Sequence, residues 1–162
     1  MDGYILELRK LVGHRPLMMV GASVIVENGA GEILLQRRTD NGLWGYAGGS
    51  VEPGERTETA AARELREETG LIAEELELLG VFSGEKMHYV YPNGDEVHIV
   101  DVVYVCRKWR GELTPQAGEV EELRWFAPDA LPRALNPPGI PGLERYRDTV
   151  KKKPPEKREP NQ

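Results

Sequence analysis

Three glutamates in the middle of the chain have a spacing that gathers their carboxylates. Glu64, Glu67 and Glu68 are related as i, i+3 and i+4, so on an α-helix they project from one face. Like charges at this spacing repel, whereas a divalent cation between them would turn repulsion into attraction. Mg²⁺ prefers oxygen ligands in a near-octahedral shell shared with water and substrate phosphates. The spacing points to metal-assisted phosphate chemistry, although an ordinary solvated helix can carry the same triplet.

The residues around these acids predict the helix that must position them. Residues 57–69 are rich in strong helix formers, with three consecutive alanines and no proline. Thr57 or the residues just before it can cap the start, and Gly70 suits the left-handed position after the last turn. Ala61 and Leu65 fall on an adjacent face that can pack inward.

A longer pattern contains the acidic triplet. Arg63 can hold a carboxylate through a bidentate hydrogen bond, and Glu55 is its expected partner. Residues 49–71 read Gly, five residues, Glu, seven residues, then Arg-Glu-Leu-x-Glu-Glu-x-Gly-Leu. At all nine fixed positions, over 23 residues, this resembles the box of the Nudix hydrolases, G-x5-E-x7-R-E-U-x-E-E-x-G-U with U aliphatic.

The resemblance implies an enzyme. Nudix hydrolases cleave the pyrophosphate bond of a nucleoside diphosphate linked to another moiety, by attack of water on phosphorus. Mg²⁺ is the implied cofactor, with Mn²⁺ as a substitute. By the same resemblance Glu64, Glu67 and Glu68 are catalytic and ligate the metal, and Glu64 also orients the base. Arg63 is placed in the catalytic set beside them.

Two further residues enter the predicted site through the family. The glycine before the box commonly offers its carbonyl to the cation, and here it is Gly48. Glu119 lies six residues before Trp125, where several Nudix enzymes supply an extra ligand or base. Strand periodicity would place Glu119 and Glu121 on the same side. The identity of the general base and the number of metal ions stay open.

The substrate is not determined by the sequence. The proline of ADP-ribose-type enzymes and the run of coenzyme A types are missing, while Tyr89 stands where dinucleoside-polyphosphate types often carry a tyrosine. Trp44 could stack on a nucleobase or pack in the core, and Arg37 and Arg38 could contact phosphate or be solvated. Ala47 stands where family members often have proline.

Two other classes of function share this fold. A Nudix domain can bind nucleotides as a catalytically silent regulator, but such domains tend to lose the carboxylates that are all present here. An isomerase acting on isoprenoid diphosphates needs a cysteine–glutamate pair, and Cys106 lies in an apolar run without that setting.

Composition limits the partners and the location. The chain has 162 residues and a net charge of −6 at pH 7, which disfavours sequence-independent binding of nucleic acid, although capped RNA stays open as a substrate. The lone Cys106 excludes an internal disulfide framework and predicts a buried thiol in a cytoplasmic protein. No apolar run is long enough for a membrane span. The partner that the Nudix resemblance implies is a nucleotide-type small molecule.

The remaining chain predicts an α/β/α sandwich with a mixed β-sheet between helices. We expect residues 1–150 to form one Nudix domain with a helical extension at 1–15, and the charged, proline-rich residues 151–162 to be a disordered tail. We expect a homodimer, in which the N-terminal helix could supply the interface. The expected helices cover residues 4–12, 57–69, 128–131 and 143–150. The expected strands cover 18–27 and 32–38 as one hairpin, 75–83, 87–91 and 97–106 as a second hairpin, and 118–126.

Overall fold

The computed structural model describes residues 3–152. Its helices are α1 (Tyr4–Val12), α2 (Thr57–Thr69) and α3 (Ile140–Lys152), with 3₁₀ turns at Glu85–Met87 and Pro137–Gly139. Its strands are β1 (Leu17–Val26), β2 (Ile33–Arg38), β3 (Trp44–Gly45), β4 (Ala47–Ser50), β5 (Ile72–Phe82), β6 (His88–Val90), β7 (Glu96–Arg110) and β8 (Val120–Phe126). No helix within this part of the chain is long and apolar enough to cross a membrane.

The strands form two sheets. The larger has the order β4-β1-β7-β5, with β6 also paired to β7, and the smaller has the order β3-β2-β8. Strands β1 and β7 run parallel over their length, while their other pairings are antiparallel, so the larger sheet is mixed. The predicted mixed α/β class is therefore confirmed.

The two faces of the larger sheet are covered by different helices. Ala60, Ala61 and Leu65 of α2 are buried in one core cluster with alternate residues of β1. Leu143 and Tyr146 of α3 are buried in a second cluster. This cluster also contains Ile25 of β1, Val103 and Val105 of β7, and residues of β2. Because side chains alternate across a strand, the sheet lies between α2 and α3. This is the expected sandwich.

Several predicted elements need correction. Residues 18–27 and 32–38 do not form a hairpin ladder: after one isolated bridge between Glu27 and Ile33, their strands join different sheets. Residues 128–131 form a turn rather than a helix. Helix α3 spans Ile140–Lys152 and so extends beyond the expected 143–150, while residues 153–162 of the predicted tail lie outside the described part. The second hairpin is confirmed by the antiparallel pairing of His88 with His98.

Candidate active site

Helix α2 carries the acidic face and is fixed at its end and along its buried side. It spans the predicted residues 57–69. Gly70 ends it with a left-handed φ of 79°, and the Gly70 N–H donates a hydrogen bond to the carbonyl of Arg66. Ala61 and Leu65 are both completely buried, which sets the rotation of the helix about its axis. With that rotation fixed, the glutamates at i, i+3 and i+4 must face the loop and strand that precede the helix.

Arg63 connects the acids of this face. Its Nε and Nη2 donate to the two carboxylate oxygens of Glu55 at 2.8 and 3.0 Å, as predicted. Nη1 donates to Oε1 of Glu64 at 2.8 Å and lies 3.5 Å from Oε2 of Glu67, while Nη2 also reaches the Ser50 carbonyl. Hydrogen bonding from Arg63 lowers the pKa of Glu55, and the same bonds raise the pKa of Arg63. The arginine therefore holds Glu55 and Glu64 in place.

Two glycines of β4 allow the acids to approach the backbone. A Cβ atom on Gly49 would lie 2.5 Å from the carboxylate of Glu64, so a larger residue here would displace that carboxylate. The N–H of Gly48 donates to Oε2 of Glu68 at 2.9 Å. Burial, and then the nearby charge of Glu64, raises the pKa of Glu68 to about 8. Burial likewise raises the pKa of Glu64.

These observations fit a divalent cation. Like-charged carboxylates are brought together in a partly dehydrated place, where an opposite charge would offset an unfavourable arrangement. The available donors are carboxylate and backbone carbonyl oxygens, which suit Mg²⁺. Within residues 3–152, however, no three Asp, Glu, His or Cys side chains already form a complete ligand cluster. Arg63 and the Gly48 N–H hold the carboxylates, and Glu67 is exposed.

A pocket adjoins this acidic face. It is lined by polar side chains of three strands, by aromatic rings and by the glycines of β4; the lining includes Ser23, Gln36, Arg38, Tyr46, Gly48, Gly49, Tyr89, Tyr91, Asp101 and Asn136. Strand β4 separates the pocket from α2. A Cβ atom on Gly48 would collide with Ser23, whereas one on Gly49 would collide with Glu64, so the two glycines face opposite sides of this thin wall.

The pocket holds a buried acid. Asp101 of β7 is 6% exposed, and the hydroxyl of Ser23 lies 2.8 and 3.1 Å from its two carboxylate oxygens. Burial raises the pKa of Asp101 to about 6, although the hydrogen bond from Ser23 opposes this effect. Burial raises the pKa of Tyr46, and the charge of Asp101 adds to that rise.

Glu119 lies apart from this arrangement. Strand β8 begins at Val120, so Glu119 belongs to the preceding turn and does not share a strand face with Glu121 as predicted. The backbone carbonyl of Glu119 accepts a hydrogen bond from the N–H of Thr39. Glu119 lines a different pocket from the one that Gly48 lines. Its role as an extra ligand or base stays a prediction.

The other candidate residues divide between core, surface and pocket. Trp44 is 7% exposed and packs edge-on against Phe126, so it belongs to the core. Arg37 pairs with Glu121 at 3.2 Å outside the pocket. Arg38 and Tyr89 both line the pocket. The predicted burial of Cys106 is confirmed, with no exposed surface.

Several polar or aromatic residues of the pocket were not predicted from the sequence, namely Ser23, Gln36, Tyr46, Tyr91, Asp101 and Asn136. Ser23 and Asp101 lie within apolar strands, and Gln36 begins the polar end of β2. An aspartate inside the run Ile-Val-Asp-Val-Val-Tyr-Val-Cys was the available signal, because a charged residue rarely occupies a buried strand without a partner or a function. The pairing with Ser23 could not be predicted from this signal, since the two residues lie 78 positions apart in the sequence.

Comparison with known proteins agrees with this geometry. A model of the NUDIX domain matches residues 17–146. A protein of Bacillus subtilis (strain 168), whose name provisionally assigns it 8-oxo-dGTP diphosphatase activity, is 37% identical over 117 residues, which cover 72% of each chain. The crystal structure of a MutT NUDIX hydrolase from Burkholderia pseudomallei superimposes with a TM-score of 0.68 at 33% identity, covering 80% of this chain and 98% of that one. The solution structure of the E. coli ORF135 protein gives a TM-score of 0.66 at 31% identity, covering 86% and 95%.

Proposed function

This chain belongs to the Nudix hydrolase family, and we propose that it hydrolyses the pyrophosphate bond of a nucleoside diphosphate derivative in a reaction that requires Mg²⁺. The observation that supports this most directly is the arrangement of Glu64 and Glu68 against the two glycines of β4. The acids and the adjoining pocket together provide one place for phosphates and another for a nucleoside.

The donor set suggests how a cation would be held. We assign Glu64, Glu67, Glu68 and the carbonyl of Gly48 as its ligands, with Mn²⁺ able to replace Mg²⁺. When bound, the ion would neutralise phosphate charge and acidify the attacking water. Glu67 is exposed and only 3.5 Å from Arg63 in a loose pairing, so its side chain can turn toward the other acids at little cost.

The protein side chains position the reaction. Arg63 orients Glu64 while Glu55 holds the other edge of the guanidinium, so the carboxylate is fixed before substrate arrives. Arg38 lines the pocket and donates two hydrogen bonds to the carboxylate of Asp40, which places a fixed positive group where a phosphate could lie. Glu64 is the residue that we expect to orient the attacking water.

A matched pair of variants tests the proposal. Glu67→Gln removes a ligand charge but keeps its size, and Glu58→Gln makes the same change at an exposed position near the start of α2. We expect Mg²⁺-dependent phosphate release from a panel of nucleotide sugars, dinucleoside polyphosphates, nucleoside triphosphates and capped RNA to fall ~100-fold or more in Glu67→Gln only. Activity that persists in Glu67→Gln, or that needs no divalent ion, would contradict the proposal. Nucleotide binding without hydrolysis would instead favour a silent regulatory domain.

We also propose that the protein is a cytoplasmic homodimer. Helix α1 exposes Leu6 and Leu11, at 57% and 85%, and these apolar side chains would be covered by a second copy. Light scattering after size exclusion should give twice the chain mass, and Leu11→Glu should lower it to that of one chain. A monomer for the unmodified protein would reject the dimer.

A further inference from the structure

The pocket beside the acidic helix is lined by both a cationic and an acidic side chain. Arg38 lines it and lies close enough to Glu68 for their charges to interact, which marks the end nearest the proposed phosphate site. Asp101 is the acidic side chain of the same lining, and the hydroxyl of Ser23 donates to it. A nucleotide whose phosphates face Arg38 would therefore direct its base toward Asp101.

Asp101 lacks the partners that a buried carboxylate normally has. Within residues 3–152 no cation lies within ion-pair distance of it, and its side-chain hydrogen-bond donor is the hydroxyl of Ser23. A carboxylate offers about four lone-pair positions, and one hydroxyl hydrogen can fill only one of them at a time. The pocket thus presents at least one carboxylate oxygen without a firm partner.

A second buried group in the same lining is also incomplete. The Nε2 amide of Gln36 donates a hydrogen bond to Glu68. The Oε1 atom of Gln36 is buried and has no hydrogen-bond partner among the described residues. Gln36 is 4% exposed, so solvent does not compensate for the missing bond. The unpartnered Oε1 atom of Gln36 and the carboxylate of Asp101, which has one hydroxyl donor, can therefore both accept from a ligand that brings N–H donors.

The nucleobases differ in the donors that they present. Guanine has N1–H and the 2-amino group side by side, so a carboxylate can accept from both. Adenine and cytosine place a ring-nitrogen acceptor beside their amino group, and uracil flanks its single N–H with two carbonyl oxygens. An ionised carboxylate can only accept, so these three edges each bring at least one lone pair against it.

We propose that Asp101, positioned by Ser23, selects a guanine base for the reaction. The assignment rests on the proposed function, because it takes the adjoining acidic face as the phosphate site. Oxidation of guanine at C8 leaves the N1–H and 2-amino edge unchanged, so GTP and 8-oxo-dGTP belong to the same class for this residue. The tyrosines Tyr89 and Tyr91 supply aromatic surface in the same pocket.

The test compares the hydrolysis of four nucleoside triphosphates by the unmodified protein and by the Asp101→Asn variant. We expect kcat/KM with Mg²⁺ to be ~10-fold or more higher for GTP than for ATP, CTP and UTP. Asp101→Asn should lower the GTP value ~10-fold or more and leave the ATP value equal or higher, because an amide matches the donor–acceptor edge of adenine. Asp129→Asn, an exposed aspartate outside the pocket lining, should leave the order of the bases unchanged. An equal fall for all four nucleotides, or an unchanged GTP preference in Asp101→Asn, would overturn the assignment.

Calorimetric binding of GDP and ADP separates this inference from the proposed function. If the protein binds GDP more tightly than ADP, and Asp101→Asn reverses the order, the base assignment stands even where no nucleotide is hydrolysed, and only the proposed hydrolysis fails. If all four triphosphates are hydrolysed equally and GDP binds no better than ADP, the base assignment fails and the hydrolysis stands.

Discussion

Replacement of Asp101 by asparagine should stabilise the protein at neutral pH. The ionised carboxylate is buried with only the Ser23 hydroxyl as a donor, and burial raises its pKa to about 6 from an ordinary 3.8. That difference corresponds to ~3 kcal/mol of lost stability once the pH exceeds both values. Asparagine keeps the shape and can still accept from Ser23, but it cannot ionise. Tyr46, which faces Asp101, stays protonated in this range because its pKa is raised well above 10.

The effect has a defined dependence on pH. Below the unfolded-state pKa both states hold the proton, and the carboxyl costs nothing. As the pH rises from about 4 to about 6, the unfolded chain releases the proton first, so the stability of the protein with Asp101 falls. The advantage of Asp101→Asn in the free energy of unfolding should therefore grow by ~2 kcal/mol between pH 4.5 and pH 7.5.

Urea unfolding at a series of pH values measures this advantage directly. Asp129→Asn, at an exposed site, is the control and should show no comparable growth across the same range. A difference between Asp101→Asn and the unmodified protein that stays constant with pH, or that shrinks toward pH 7.5, would refute the reasoning. In that case Asp101 would have a partner that offsets its burial.

Three further changes test the geometry around α2. Gly49→Ala would place a methyl group 2.5 Å from the Glu64 carboxylate and should reduce hydrolysis ~10-fold or more, whereas Gly29→Ala, with open space around it, should leave the rate unchanged in the same assay. Gly70→Ala should lower the free energy of unfolding by ~1–3 kcal/mol in urea titration, because φ is 79° and the new methyl would meet the Glu112 carbonyl. Arg63→Lys should keep the melting temperature within a few degrees but lower kcat, since one ammonium group cannot form the bidentate hydrogen bonds to Glu55. An unchanged kcat would show that these hydrogen bonds are not needed.

Local sequence was sufficient for the acidic helix. Helix propensity, the glycine stop and the i, i+3, i+4 spacing are properties of neighbouring residues, so α2 and its acidic face could be predicted with their boundaries. The partnership of Arg63 with Glu55 was equally accessible, because they lie eight positions apart in the sequence and both belong to one fixed pattern. Burial of Cys106 followed from the apolar run around it.

Tertiary structure decided what local pattern could not. The strands before and after Asn28 look like a hairpin in sequence. The second strand instead pairs with β3 and β8 in another sheet and packs against α3. The Asp101–Ser23 pair joins residues on parallel strands, whose register depends on the whole sheet and leaves no periodic signal in the chain. Interactions between neighbouring residues thus determined the acidic helix, whereas long-range strand pairing determined which side chains line the pocket beside it.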